Sequence, residues 1–450
     1  MTTEAKIPWI ILVMIAPLAG TVIYMLFSGN HLSREQKRRY GTIVKKSWDY
    51  FQQDVLPEED FRHKMGKHAG QCMYIHHVTG QVAYPETDVK YYPMGEDFYR
   101  DLLDDLAKAE TYIFMEYFIV KPGIMWEGIL NILEKKVQQG VEVRFMYDDL
   151  GCVSTLPSNY DQVLRGKGIQ CLKFNPFKPV VSEAHNNRDH RKITVIDGKI
   201  GFIGGANLAD EYINEIHPFG RWKDTAVRLE GKGVKGLNLL FMQTFNAQRR
   251  IQNDDFSKYI LEDYSKPEAE GVVMPFGDGP RPAYSEYVAE NVYLNMINQA
   301  ERYLWITTPY LILNNRLQNA LCSAALRGVD VRIVTPHIPD KKFVFEITRS
   351  NYKKLQNAGV KIFEYTPGFI HAKQFLCDDI TGIVGTINLD YRSLVHHFEC
   401  GVWLYQTECL KDIKRDFEKT FDESMLVQDY QQSRFMVVLC KITHIFVPLL

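Results

Sequence analysis

One eight-residue pattern occurs twice, and its recurrence limits what this chain can fold into. His190-Arg191-Lys192-Ile193-Thr194-Val195-Ile196-Asp197 and His371-Ala372-Lys373-Gln374-Phe375-Leu376-Cys377-Asp378 both read H-x-K-x4-D. Each is followed by a small-residue turn and an Asn, Gly204-Gly205-Ala206-Asn207 and Gly385-Thr386-Ile387-Asn388. Other segments repeat in the same order. Ala109-Glu110-Thr111-Tyr112-Ile113 returns as Ala300-Glu301-Arg302-Tyr303-Leu304, an offset of 191. Gly140-Val141-Glu142-Val143-Arg144 returns as Gly328-Val329-Asp330-Val331-Arg332, an offset of 188. Gly168-Ile169-Gln170 returns as Gly359-Val360-Lys361, again at 191. Matched order at a nearly fixed offset implies two homologous halves.

Each half alternates buried strands with helices. Tyr112 to Val120, Val141 to Tyr147, Tyr303 to Leu311 and Val329 to Val334 read as strands. Glu127 to Gln139 and Arg316 to Leu326 read as helices closed by Gly140 and Gly328. This order predicts an α/β fold: two halves with mixed, mostly parallel sheets flanked by helices, packed around one shared active site. Val234, Leu237, Phe241 and Phe245 recur at helical spacing and read as a core stripe. The polar stretch Arg249 to Gly271 holds the expected linker. The expected organisation is an anchor and basic collar over 1–39, a first half over 40–255, a linker over 256–270, a second half over 271–435 and an apolar tail over 436–450.

Strand geometry orders the motif residues. Side chains alternate faces, so His190 and Lys192 point one way, as do His371 and Lys373. An imidazole thus has an ammonium beside it. Asp197 and Asp378 complete the candidate catalytic set of His190, Lys192, Asp197, His371, Lys373 and Asp378. Their opposite parity gives both carboxylates a structural task, bonding the following turn. The glycines let backbone N–H groups approach an anion, and Asn207 and Asn388 add phosphate-binding donors. One His would attack phosphorus while the other serves as acid and then base. The lysines supply the positive charge, so no cofactor and no metal is expected. His185 and His190 are five residues apart, and His396-His397 should point to opposite faces, so spacing gives no zinc site. The 8 cysteines contain no CxxC pair and read as small buried hydrophobes.

Local bias hides inside an even composition. Lys+Arg 53 against Asp+Glu 55 gives a net charge of -2, which argues against a nucleic-acid partner. Ile7 to Phe27, however, is an uncharged run that predicts one transmembrane helix, kinked at Pro17. Arg34, Lys37, Arg38 and Arg39 follow it, against Lys6 alone before it. The positive-inside rule then predicts a cytoplasmic body at a cell membrane, with the collar against anionic membrane lipid. Phe435 to Leu450 is apolar but interrupted by Lys441 and His444, which suits packing on the domain or the membrane surface.

The paired motif resembles the phospholipase D superfamily, whose members carry two HKD motifs. The chain is similar, further, to its bacterial cardiolipin synthases. The resembling segments are Arg188-Asp189-His190-Arg191-Lys192, Gly204-Gly205-Ala206-Asn207 with Asp210-Glu211-Tyr212, and Trp222-Lys223-Asp224. The second half adds Thr308-Pro309-Tyr310, His371-Ala372-Lys373, Gly385 through Ser393, Phe398-Glu399 and the terminal Pro448-Leu449-Leu450. The resemblance implies that two phosphatidylglycerol molecules are joined into cardiolipin with release of glycerol. It also implies that a downstream acid in each half, Asp224 and Glu399, orients its histidine through Nδ1. Three departures stand out. The family often has two N-terminal membrane segments where one is read here. Asp189 replaces the usual Asn, which could raise the pKa of the adjacent His. His397 also stands where Asn is usual.

Overall fold

The computed structural model describes residues 3–27, 34–52, 58–176, 186–249, 255–261, 263–264, 267–280 and 283–428, and beyond 428 only 430, 432, 436, 439, 440 and 443. His185, part of the expected linker and most of the expected apolar tail lie outside the described residues.

The first half supplies strands β1 (Thr87–Tyr92), β2 (Tyr112–Tyr117), β3 (Glu142–Asp148), β4 (Gln170–Phe174), β5 (Lys192–Ile196), β6 (Ile200–Gly204), β7 (Arg221–Lys223) and β8 (Ala226–Gly231). The second supplies β9 (Val272–Asp278), β10 (Tyr303–Thr307), β11 (Asp330–Pro336), β12 (Lys361–Tyr365), β13 (Gly368–Ile370), β14 (Gln374–Cys377), β15 (Thr381–Gly385), β16 (Glu399–Tyr405) and β17 (Ser424–Leu426). One sheet runs β1-β8-β6-β5-β2-β3-β4 and the other β9-β16-β15-β14-β10-β11-β12-β17. Without β17 the two orders are the same, strand for homologous strand.

The sheets are mixed, but they are not mostly parallel as expected. Within them only β2-β3-β4 and β10-β11-β12 are parallel, and the other pairings are antiparallel. The cause is connection length. Helices such as Ile124–Gln138 and Asn315–Leu326 return the chain to the same direction. The tight turns after β5 and β14 reverse it. Gly140 and Gly328, at φ 89 and 95, end those two helices as expected.

A shared core joins the halves. The helix Val234–Arg249 packs against β2, β4, β5, β6 and β8 on one side and β9 on the other. Val234, Leu237, Phe241 and Phe245 are buried, and Phe114 of β2 stacks on Phe241 at 4.8 Å. Each such side chain contributes about 1.5–3 kcal/mol by leaving water. A second joint is direct: β7 of one half pairs in parallel with β13 of the other.

The single helix expected over the apolar run is instead two, α1 (Thr3–Ile15) and α2 (Pro17–Phe27). Pro17 has no N–H to donate and its ring would collide with the carbonyl four residues back, so α1 stops and Pro17 opens α2. The pair folds back on itself. Trp9 meets Tyr24 edge-on at 5.5 Å, whereas one continuous helix would separate them by about 22 Å. Gly20 permits this approach, because a Cβ there would lie 2.6 Å from the Leu12 carbonyl oxygen. Among the described residues no helix is long and apolar enough to cross a membrane. Next, α3 (Arg34–Gln52) runs along the body, with Tyr40 stacked on Phe398 at 5.2 Å and Tyr50 against Phe256.

Candidate active site

His190 lies just ahead of β5, and its N–H donates to the Phe398 carbonyl at 2.9 Å. His371 lies just ahead of β14, and its N–H donates to the Lys223 carbonyl at 2.7 Å. Each motif is therefore sewn to the segment of the opposite half that carries the acid. His190 Nδ1 is 2.9 and 3.0 Å from the Glu399 carboxylate oxygens. His371 Nδ1 is 2.6 Å from Asp224 Oδ2. The resemblance implied an acid from the histidine's own half, and the pairing is crossed instead. Within one sheet, β6 stands between β5 and β8, and β15 between β14 and β16, so each acid is a strand away from its own histidine. The neighbouring half offers the adjacent place.

The two lysines stand beside the imidazoles. Lys192 Nζ donates to the His190 carbonyl and lies 5.4 Å from the Phe118 ring centre. Lys373 Nζ donates to the His371 carbonyl and lies 2.7 Å from His371 Nδ1. Burial pulls Lys192 down to about 8 and Lys373 to about 7. Burial, then Lys192, Lys373 and His371, hold His190 well below the usual imidazole range. Burial and Lys373 lower His371 to about 4, against the pull of Asp224. Burial alone would raise Asp224, but His371 and Lys373 outweigh it and keep its carboxyl below the ordinary range. Both rings are thus neutral near pH 7. An Nδ1–H that donates to a carboxylate leaves its lone pair on Nε2, the form a nucleophile or base needs.

Other sequence candidates are placed differently from expectation. Asp197 accepts from the backbone N–H groups of Glu110, Thr111 and Tyr112, at 2.8, 2.7 and 2.9 Å. Asp378 accepts from Glu301, Arg302 and Tyr303, each at 2.8 Å. Both pin the start of β2 or β10 and not the following turn. Asn207 is engaged, since its Oδ1 accepts from Ile119 N–H and its Nδ2 donates to the Tyr212 hydroxyl. Asn388 bonds Asp390. The Gly205 N–H goes to the Thr225 carbonyl, and a Cβ at Gly205 would sit 2.1 Å from Asp224 Oδ1. These glycines make room for the acid strand and do not cradle an anion. His190 is lowered overall, and Asp189 is engaged elsewhere. It bonds Arg191 N–H and lies with Glu116 in a buried carboxyl pair beside the Arg191 guanidinium.

Sequence spacing missed the walls of the site. Phe118 meets His190 edge-on at 5.0 Å, and Tyr212 meets His371 edge-on at 5.5 Å. Trp222 lies 5.6 Å from His371 at 45°, and His397 lies 5.6 Å from His190 at 43°. Trp222 and His397 occupy matching places, each one residue before the carbonyl that receives the opposite histidine's N–H. The Thr386 hydroxyl donates to Glu399, a prop that has no equivalent at Gly205. Arg188, buried against Asp148 at 2.9 Å, braces the backbone ahead of His190.

Known proteins resemble this chain in sequence and in fold. The family described as "Cardiolipin synthase, PLD-like domain" matches residues 102–217 and 293–421, one segment in each half. An uncharacterized protein of Streptococcus mutans is 45% identical over 95% of this chain and 92% of its own. The cardiolipin synthase of Geobacillus kaustophilus is 33% identical over 99% of this chain and 88% of its own. That of Staphylococcus aureus strain Mu50 is 33% identical over 91% of this chain and 83% of its own. Among solved structures, the phosphatidylserine synthase of Haemophilus influenzae covers 81% of this chain and 95% of its own, with a TM-score of 0.61 at 14% identity. That likeness is one of fold.

Proposed function

The chain belongs to the cardiolipin synthase family of phospholipase D-like proteins, and from that footing we propose that it transfers a phosphatidyl group between two phosphatidylglycerol molecules, giving cardiolipin and glycerol. One observation carries the reading: two neutral imidazoles, each with a carboxylate on Nδ1, share a buried centre with two lysines.

In this reading one Nε2 attacks the phosphorus of the first lipid. An N–P bond forms and the P–O bond to the terminal glycerol breaks. The other histidine enters as an imidazolium, which the bound phosphodiester's charge favours, and gives its proton to the departing glycerol oxygen. The hydroxyl of the second phosphatidylglycerol then returns a proton to that histidine and attacks phosphorus, and the N–P bond breaks. Lys192 and Lys373 hold charge on the non-bridging oxygens, and Asp224 and Glu399 stabilise whichever imidazolium forms. Asp197 and Asp378 act on the backbone, and the Asn207 and Asn388 amides are engaged with Tyr212 and Asp390. Purified protein in detergent with phosphatidylglycerol should release glycerol and cardiolipin in equal amounts. Phosphatidic acid without cardiolipin would make it a hydrolase.

The N-terminal hairpin suits a lipid substrate. Met14, Ile15, Leu18 and Met25 are each at least 75% exposed, an apolar surface that water disfavours. At 13 and 11 residues, α1 and α2 rise about 20 and 16 Å, against a hydrocarbon core of about 30 Å. The hairpin therefore dips into one leaflet of the cell membrane and returns, with the exposed Arg38 that follows it at its headgroups. The positive-inside rule puts that side, and the catalytic body, in the cytoplasm. Tyr40 on Phe398 ties α3 to the residue beside Glu399, so the hairpin leads from the membrane to the site. An epitope at the N-terminus should be protected in intact cells. Surface labelling of it would show that the chain crosses the bilayer.

A further inference from the structure

His397 has no task in the reaction above, yet it is buried beside one of the two acting histidines. It is 9% exposed, and neither ring nitrogen makes a hydrogen bond among the described residues. Its Nδ1 lies 3.6 Å from Glu399 Oε1, the oxygen that is 2.9 Å from His190 Nδ1. Ligand atoms of His190, His397 and Glu399 all fall within 4.8 Å of one another. Spacing along the chain hid this cluster, because His190 and His397 belong to different halves.

We propose that His190, His397 and Glu399 form a zinc site whose occupation switches the enzyme off. Two imidazoles and a carboxylate are a three-ligand zinc set that leaves a fourth position for water. Lys192 and Lys373 face His190, and Arg392 lies near His397, so cations are repelled. Only an ion with strong imidazole affinity competes, which selects zinc over magnesium or calcium. The inhibition follows from tautomer chemistry. Zinc on Nδ1 takes the place of the proton shared with Glu399. In a neutral ring the remaining proton then sits on Nε2, and the lone pair needed at phosphorus is gone. No bond of the substrate is made or broken. The matching place near His371 holds Trp222, which cannot ligate, so the site exists on one side only.

The inhibitory consequence rests on the function proposed above, but metal binding does not, and the two are measured separately. The full chain in detergent, equilibrated with zinc and desalted, should retain one zinc per chain. His371→Ala should retain it too, while His190→Ala and His397→Asn should lose it. In the phosphatidylglycerol assay, zinc should inhibit the parent protein. The concentration for half-inhibition, relative to each variant's own metal-free rate, should rise by about tenfold or more in His397→Asn. Retention by both His190→Ala and His397→Asn, no retention by the parent, or equal zinc sensitivity of His397→Asn would each overturn the proposal. If the parent retains zinc but makes no cardiolipin, the site stands and the function fails.

Discussion

The surroundings of His190 and His371 differ although their backbones match. Both imidazoles follow a segment paired to the other half, both meet a carboxylate through Nδ1, and both have a lysine two residues on. Around His371 the walls are Trp222 and Tyr212, and Lys373 comes within 2.7 Å of Nδ1. Around His190 the walls are Phe118 and a second imidazole, and its acid is propped by Thr386. The difference teaches that duplication preserved the hydrogen-bonded skeleton while the linings diverged. Two near-equal groups can thereby take unequal roles in one reaction.

The largest expected effect tests that inequality. His190→Ala and His371→Ala should each lower turnover by about 10³-fold or more. The variant that keeps the nucleophile should still form a covalent lipid adduct, detectable by mass spectrometry after acid-free quenching, and the other should not. Adduct in both would break the asymmetry. Next come the acids. Glu399→Gln and Asp224→Asn should each cost about 10²- to 10⁴-fold, as expected when a tautomer is no longer fixed. By ¹⁵N NMR, Glu399→Gln should disturb the His190 ring and Asp224→Asn the His371 ring. The reverse assignment would sink the crossed pairing.

The lysines should set the alkaline limb. They are depressed to about 8 and about 7, so kcat/KM should fall as pH rises through these values, by about tenfold per unit once one proton is lost. A bound phosphate restores their charge, so kcat should hold to higher pH. A flat kcat/KM profile up to pH 10 would remove the lysines from the mechanism. The smallest effect on chemistry should come from Asp197→Ala and Asp378→Ala. Each should destabilise the fold by roughly 3 kcal/mol in thermal or urea unfolding, since three backbone N–H groups lose their acceptor. Burial would raise Asp197, but its backbone and Thr111 donors outweigh that and hold it below the ordinary carboxylate range. Its contribution is therefore full above the ordinary pKa and lost as pH falls through the lower folded value.

Much of this was legible in the residues. The offsets of 188 and 191 foretold two halves, and the parity of Asp197 and Asp378 foretold their turning away from the histidines. The glycines closing the helices at Gly140 and Gly328 were readable because positive φ leaves few other choices. What escaped was contact between the halves. No local pattern says that Glu399 serves His190, 209 residues away, or that Trp222 and His397 hold matching places. The Gly204-Gly205 turn suggested an anion cradle, since glycine permits close approach without saying by what. Pro17 suggested a kink, but whether a helix bends there or folds back depends on partners such as Trp9 and Tyr24.

The crossed pairing also bears on inheritance. Each copy of the repeat holds the means of aligning the other's imidazole and lacks the means of aligning its own. A lesion in the second copy at Glu399 would appear as a defect of the first copy's motif. Neither copy can drift into disuse while its sibling carries on alone, so the ordinary fate of a duplicated segment is closed to both. Expressed as separate polypeptides, the halves should be silent singly and regain turnover only when they reassociate.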